Sequence, residues 1–316
     1  MSFTFPVWVV ASVSALIGAM VGSFLNVCIH RLPRGMSVST PARSFCPACK
    51  RTIPWYENIP VFSWLFLRGR CSGCGGSIPP RYVGVEILTA VLFGALAFKF
   101  SGQSVALMIP NAFFMSILLV ATFVDLEHMI IPDEVTWGGV LCGGVFALWI
   151  PELHGTLSRW ESLERSMIGA AVGFGMLWTV VEVGRLVFGK KKFTFDQPVD
   201  LVWARTGETA ELVVDDESID WAGLFPRGSE SVLMEFEVAQ LDGASIRGTS
   251  AKWGFETLHT AERSVDLNTV ERFTCRLRAL VLPREVMGFG DVKFIAAIGA
   301  FTGWKGAIFS VMAGSI

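Results

Sequence analysis

Asp125 and Asp291 are the residues of this 316-residue chain best placed to do chemistry. Asp125 lies in Val124-Asp125-Leu126-Glu127-His128-Met129-Ile130-Ile131-Pro132-Asp133, directly after about twenty uncharged residues. Asp291 lies in Gly288-Phe289-Gly290-Asp291-Val292-Lys293, directly before another apolar run. A carboxylate at the edge of a membrane span is expensive to keep there, which makes each a functional candidate. Two of them at matching depth could share one proton and activate water. The charged member would take a proton from the water that attacks a carbonyl carbon, and the neutral member would donate to the carbonyl oxygen. The pattern points to hydrolysis at a membrane. Gly288 and Gly290 present no side chain that would hold a backbone or substrate away from Asp291. Glu127 and Asp133 lie close to Asp125 in sequence but carry no assigned chemistry. Asp133, after Pro132, reads as the cap of the next helix; Lys293 could pair with an aspartate or a lipid phosphate, and a lone lysine at a span edge is more often a snorkelling anchor.

Four of the seven cysteines form a second constellation, Cys46-Pro47-Ala48-Cys49 and Cys71-Ser72-Gly73-Cys74, with 21 residues between the pairs. Two C-x-x-C knuckles at this distance are the ligand pattern of a closed, structural zinc site. Two disulfides are the alternative, but the loop is expected in the cytoplasm, where thiols stay reduced. Cys28, Cys142 and Cys275 read as packing residues, and the four histidines show no ligand spacing.

Membrane helices must position these groups. Hydrophobic residues make up 52% of the chain and charged ones 17%, below the roughly 25% of ordinary soluble domains. Residues 1–29 hold no charged side chain and no basic region before the apolar stretch, so they read as a first permanent span and not a cleaved signal. Residues 30–81 carry eight Lys or Arg and one acid, Glu57, which marks the cytoplasmic side and puts the N-terminus outside. Five more spans are expected at Val83–Phe100, Val105–Val124, Val135–Ile150, Met167–Phe188 and Val292–Ile316. Counting crossings then brings Asp125 and Asp291 independently to the cytoplasmic face. Residues 189–283 differ: they open with Lys190-Lys191-Lys192 and alternate polar with apolar residues in Glu211–Val214, Ser231–Val238 and Phe273–Leu280. They read as a small β-rich soluble insertion. The expected organisation is a first span over 1–29, a four-cysteine zinc loop over 30–81, helices over 82–188, the insertion over 189–283, and the Gly-x-Gly-Asp motif with a sixth span over 284–316. The fold class is thus an all-α polytopic membrane protein with a zinc-knuckle loop and a β-rich insertion.

Four ordered segments resemble the type IV prepilin peptidase family. They are Val21-Gly22-Ser23-Phe24-Leu25-Asn26-Val27 with Arg31-Leu32-Pro33, the cysteine loop with Asn58-Ile59-Pro60 and Arg81-Tyr82, Asp125 with Ile131-Pro132-Asp133, and Gly288-Phe289-Gly290-Asp291-Val292-Lys293. The resemblance implies a membrane aspartic protease that removes the basic leader of prepilins and pseudopilins after a glycine, at the cytoplasmic face of the bacterial inner membrane. It implies Asp125 and Asp291 as the catalytic pair and the Cys46, Cys49, Cys71, Cys74 loop as metal-binding. Many family members also methylate the new N-terminus with S-adenosylmethionine, a cofactor for which no Gly-rich fingerprint is present here. Prepilins and membrane lipid are the expected partners, and no nucleic acid is. The chain departs from the family by its insertion and by ending at Ile316, inside the sixth expected span, so it reads as either a truncated sequence or an unusually short member. Two other classes use the same residues: a presenilin-like intramembrane protease, which shares Gly-x-Gly-Asp, and a non-enzymatic zinc-bearing scaffold of a pilus or secretion machine.

Overall fold

The computed structural model describes residues 6–101, 104–188, 190–206, 209–215, 217–220, 231–246, 249–254, 256–260, 264–283 and 287–314. The chain divides into two compact units, Met1–Thr179 with Met287–Ile316, and Val180–Val286.

The first unit is helical: α1 (Val7–Arg31), a short α2 (Phe62–Phe66), α3 (Arg81–Lys99), α4 (Met108–His128), α5 (Asp133–Trp149), α6 (Arg159–Phe188) and α7 (Phe289–Gly314). Proline punctuates it. Pro6 and Pro132 precede the first residues of α1 and α5, and Pro151 follows α5 by two residues, as expected of a residue that fixes φ and cannot continue a helix. Among the described residues, five helices are long and apolar enough to cross a membrane, with ranges Val7–Arg34, Arg81–Lys99, Val105–His128, Arg159–Val187 and Phe289–Gly314. The fourth expected span does form a helix, but α5 has 17 residues, about 26 Å at 1.5 Å per residue against a core of about 30 Å. The last expected span also differs, because α7 is broken at Gly303, where φ is 70° and ψ 178°.

Helices within this unit meet backbone to backbone. A Cβ on Gly22 of α1 would lie 2.8 Å from Cα of Glu86, and one on Gly18 2.8 Å from Cβ of Phe93, both on α3. On α5, added Cβ atoms at Gly139 and Gly143 would lie 2.9 Å from Cβ of Ala297 and 2.7 Å from Cβ of Ala300 on α7. Gly173 of α6 would meet the carbonyl oxygen of Ile295 at 2.6 Å, and Gly169 lies directly against Gly299. Each helix offers its two glycines four residues apart, one turn, the small-xxx-small spacing that lets membrane helices approach closely. Polar bonds add to this: in the loop between α1 and α3 the Val61 N–H donates to Oε2 of Glu86 on α3 at 2.7 Å, and the Asn26 amide of α1 donates to the carbonyl of Tyr82 in the first turn of α3 at 2.9 Å.

The second unit is a nine-stranded antiparallel sheet of β1 (Lys190–Thr206), β2 (Thr209–Val214), β3 (Glu217–Asp220), β4 (Ser231–Leu241), β5 (Ala244–Ile246), β6 (Ser250–Gly254), β7 (Thr257–Thr260), β8 (Ser264–Asp266) and β9 (Arg272–Pro283). Its order is β3-β2-β1-β9-β4-β6-β7-β8, with β5 paired to β4. Alternation along β4 buries Val232, Met234 and Phe236, which join Trp203, Trp253, Leu258, Phe273 and Leu277 in one core. Pro198 sits where the β1–β9 register shifts, a place where its missing N–H costs no ladder bond. The chain enters and leaves the sheet on neighbouring strands, since Lys190 of β1 pairs with Pro283 of β9.

The glycine contacts predict unequal effects at adjacent positions. Gly143→Ala should lower stability by about 1–3 kcal/mol through overpacking against Ala300. Gly144→Ala meets only Leu163 Cδ1, at an ordinary 3.7 Å, and should be neutral or stabilise by up to about 1 kcal/mol through helix propensity. Thermal unfolding of the purified chain in detergent would compare the two.

Candidate active site and metal centre

Asp125 sits in the last turn of α4. Its carbonyl accepts the Met129 N–H at 2.8 Å, and Met129 turns into the left-handed region at φ 53°, ending the helix. The chain then runs through Ile130, Ile131 and Pro132 into α5. Asp291 is the third residue of α7, so it lies inside the helix and not ahead of it; its N–H donates to the Gly288 carbonyl at 3.2 Å.

The Gly-x-Gly-Asp turn rests on the segment that follows Asp125. A Cβ on Gly290 would lie 3.4 Å from Cβ of Ile131 and 3.6 Å from its backbone nitrogen and oxygen. A Cβ on Gly288 would lie 3.3 Å from Oδ2 of Asp291, so this carboxylate hangs over the first glycine. The Asp125 carboxylate is close enough to act electrostatically on Asp291.

Neighbouring charges are engaged elsewhere. Glu127 accepts a hydrogen bond from Arg81, at the start of α3, at 2.5 Å. Lys293 pairs with Asp133 and lies 5.4 Å from the ring centroid of Phe289, which meets Phe174 of α6 edge-on at 6.0 Å. Two sequence expectations are corrected by this pair. Lys293 is largely covered and tied to α5 instead of snorkelling, and Asp133 is the first helical residue of α5 with Pro132 at the cap position and no side-chain cap bond. Among the described residues, the carboxylates of Asp125 and Asp291 have no ion pair or hydrogen bond, so theirs are the acids left available.

The four cysteines converge. Their sulfurs lie within 4.8 Å of one another, and those of Cys46 and Cys74 are 3.9 Å apart. A tetrahedral Zn–S distance of about 2.3 Å requires sulfurs about 3.8 Å apart, so the set fits a zinc ion with a slight contraction. All four are free thiols. The two knuckles repeat one hydrogen-bond scheme: Lys50 N–H donates to Cys46 O and Gly75 N–H to Cys71 O, both at 2.8 Å, while the Cys46 and Cys71 N–H groups donate to Arg51 O at 2.9 Å and Gly76 O at 2.8 Å. Lys50 and Gly75, at φ 59° and 70°, make the same left-handed corner. Glu57 joins the knuckles by accepting from Arg51 at 3.1 Å and from the Ser72 hydroxyl at 2.7 Å, and those bonds hold its carboxyl below the usual range. Sequence reasoning gave this acid no role. A cavity of about 220 Å³ lies beneath the loop, lined among others by Asn26, Trp64, Tyr82 and Glu86.

The thiols are unequal. The Cys49 backbone N–H pulls the Cys46 thiol down to about 7. At Cys74 the Gly76 N–H pulls down as well, but the neighbouring sulfurs push the thiol up to about 11. Binding a cation as four thiolates must therefore expel protons at neutral pH. Zinc should bind at one ion per chain, and its affinity should fall at least about tenfold per pH unit on acidification, more steeply as Cys46 becomes protonated below about pH 7. Competition titration with a chromophoric chelator would measure this, and Cys49→Ser or Cys71→Ser should lose the ion.

Two family models match the chain: the bacterial peptidase A24 N-terminal domain over residues 16–100, and the type IV leader peptidase family over 112–194 and 268–316. The interval 195–267 that the second model skips falls within the β-sheet unit. A prepilin leader peptidase/N-methyltransferase of Myxococcus xanthus is 42% identical over 176 residues, covering 56% of this chain and 49% of the relative. Proteins of the same name from Aeromonas hydrophila and Klebsiella pneumoniae are 36% and 37% identical, covering 58% and 56% of this chain and 68% and 75% of their own lengths. The chain thus spans about half the length of the first relative and somewhat over two thirds of the other two. No solved structure matches it. By both models and these relatives, the chain belongs to the type IV prepilin leader peptidase family.

Proposed function

We propose that this chain is a membrane-embedded aspartic endopeptidase that cleaves the leader from type IV prepilins or pseudopilins after a glycine. Asp125 and Asp291 are its catalytic pair. The observation that carries this reading is the seating of Gly290 on Ile131, which brings the Asp291 turn against the segment leaving Asp125 and leaves two unpaired carboxylates in electrostatic reach of each other. The Gly-x-Gly-Asp helix start and the end of α4 would form the site together, in a bacterial inner membrane with the N-terminus outside and the site facing the cytoplasm.

Catalysis uses one proton between two carboxylates. The charged aspartate takes a proton from water as the oxygen attacks the glycyl carbonyl, and the protonated aspartate donates to the carbonyl oxygen. The tetrahedral intermediate then releases the pilin nitrogen, which accepts a proton as the C–N bond breaks, leaving a carboxyl group on the leader glycine. Cys46, Cys49, Cys71 and Cys74 would hold a structural zinc ion, which would fix the fold of the loop and leave hydrolysis to the two aspartates. Methylation of the new amino terminus with S-adenosylmethionine extends the proposal from the name of the relatives, and no side chain here is assigned to that donor.

Cleavage of a prepilin in membranes containing this chain tests the reading. Asp125→Asn and Asp291→Asn should each lower the rate by about 10²–10⁴-fold or more, and the double variant should lose little beyond either single one, because the two act as a unit. Full processing by either single variant would sink the assignment. An active parent cutting within a spanning substrate would favour the presenilin-like class; a folded parent that stays inactive when the downstream helices of its relatives are appended would favour the scaffold.

The Gly290 contact gives a graded test. Gly290→Ala adds a Cβ at an ordinary 3.4 Å from Ile131 and should keep most activity, whereas Gly290→Leu must displace Ile131 and should abolish it. Equal cleavage by the glycine and leucine forms would show that this seat does not set the site.

A further inference from the structure

The short helix α2 is apolar on both of its faces. Ser63, Trp64 and Leu67 face the cavity beneath the metal loop; the Trp64 indole donates to the Ile78 carbonyl at 3.2 Å and lies under Gly69. Phe62, Leu65 and Phe66, at the i, i+3 and i+4 positions of one helical face, point outward, with Phe66 86% exposed. Trp55 and Tyr56 extend this surface, their rings edge-on at 5.9 Å and Trp55 79% exposed. Ser63 locks the two parts together: its hydroxyl donates to the Tyr56 carbonyl at 3.1 Å and accepts the Ile59 N–H at 2.9 Å. Five large apolar side chains are thus exposed on two short segments that Ser63 holds together in an otherwise basic loop, more than scattered surface residues account for.

Its depth says what covers it. The Val61 N–H, at the head of α2, is bonded to Glu86, five residues into α3. That places the head of α2 beside α3 at a level about 7 Å inside its first residue. Because α3 has only 19 residues, about 28 Å, it needs nearly its whole length to cross the hydrocarbon core. The head of α2 therefore lies just inside the level where α3 enters the bilayer, at the headgroup–acyl boundary in which interfacial apolar faces are buried and which Trp and Tyr favour. Arg68 and Arg70, both exposed, follow within four residues of Phe66 and suit anionic headgroups.

We propose that this face of α2, with Trp55 and Tyr56, is inserted in the lipid headgroup layer and holds the metal loop flat on the membrane surface. The inference is independent of the peptidase chemistry. The test uses the full chain in nanodiscs of phosphatidylethanolamine and phosphatidylglycerol, with Phe66→p-benzoylphenylalanine, Trp55→p-benzoylphenylalanine and, as an exposed control on the first knuckle, Lys50→p-benzoylphenylalanine. Irradiation should give phospholipid adducts, read by mass spectrometry, at positions 66 and 55 several-fold above position 50. Adducts no higher than the control at both positions, or crosslinks to a second copy of the chain in their place, would overturn the proposal.

Discussion

Backbone contact between helices is the constraint on which the helical unit depends. Lipid tails are as apolar as leucine, so burying more apolar surface gives little drive for one membrane helix to seek another, and close packing must supply it. Here α7 lies between α5 and α6, with Gly139 and Gly143 on one side and Gly169 and Gly173 on the other. The Ser166 hydroxyl donates to the Ala300 carbonyl at 2.8 Å, one turn before the break at Gly303. A helix interrupted within a membrane needs such side-chain bonds, because no water is present to satisfy a freed carbonyl. These contacts fix the rotation and height of α7, and with them the direction in which Asp291 leaves its first turn.

Selection among the acids follows from that placement. Four carboxylates crowd the region: Asp125, Glu127, Asp133 and Asp291. With α7 seated, Lys293 falls opposite Asp133, and Arg81 at the head of α3 falls opposite Glu127. Pairing occupies the carboxylate oxygens of these two and leaves Asp125 and Asp291 as the two of the four without a charged partner among the described residues. The bonds also tie α7 to α5 and α3 to α4 at the end where the candidate site lies. Electrostatic order at this end is thus a product of the glycine packing several turns away.

The cysteine cluster and the strands were legible in the sequence because their signals are local. Two C-x-x-C pairs, a run of arginines and period-two alternation each sit within a few residues, and the structure contains the cysteine cluster and strands β2, β4 and β9 over the alternating runs. What failed was long-range. Asp133 and Lys293 are 160 residues apart, and no property of either names the other. The shortness of α5 was half visible, since Pro132 and Pro151 bound it. The glycine pairs at spacing four were written in α1, α5 and α6 and could have been read as close-approach faces. Even so, sequence alone does not say which helix each would face. Phe62, Leu65 and Phe66 carried a helical spacing too short to register against the cysteines around them.

The sheet unit shows how a family pattern can be interrupted without being dismantled. The second family model breaks at residue 194 and resumes at 268, so the chain leaves the shared pattern and returns to it. Within the sheet, β1 and β9 are adjacent, and Lys190 is paired with Pro283. A folded insert whose first and last strands are hydrogen-bonded neighbours presents its ends a strand spacing apart, about 5 Å. It therefore asks little more of the flanking chain than a short turn would. The closure entropy of its roughly 95 residues is met by its own core of Trp203, Trp253, Phe236 and Phe273 and not by the helices around it. Such an insert tolerates any sequence that keeps its own core, and the residues it separates in the chain are not thereby separated in space.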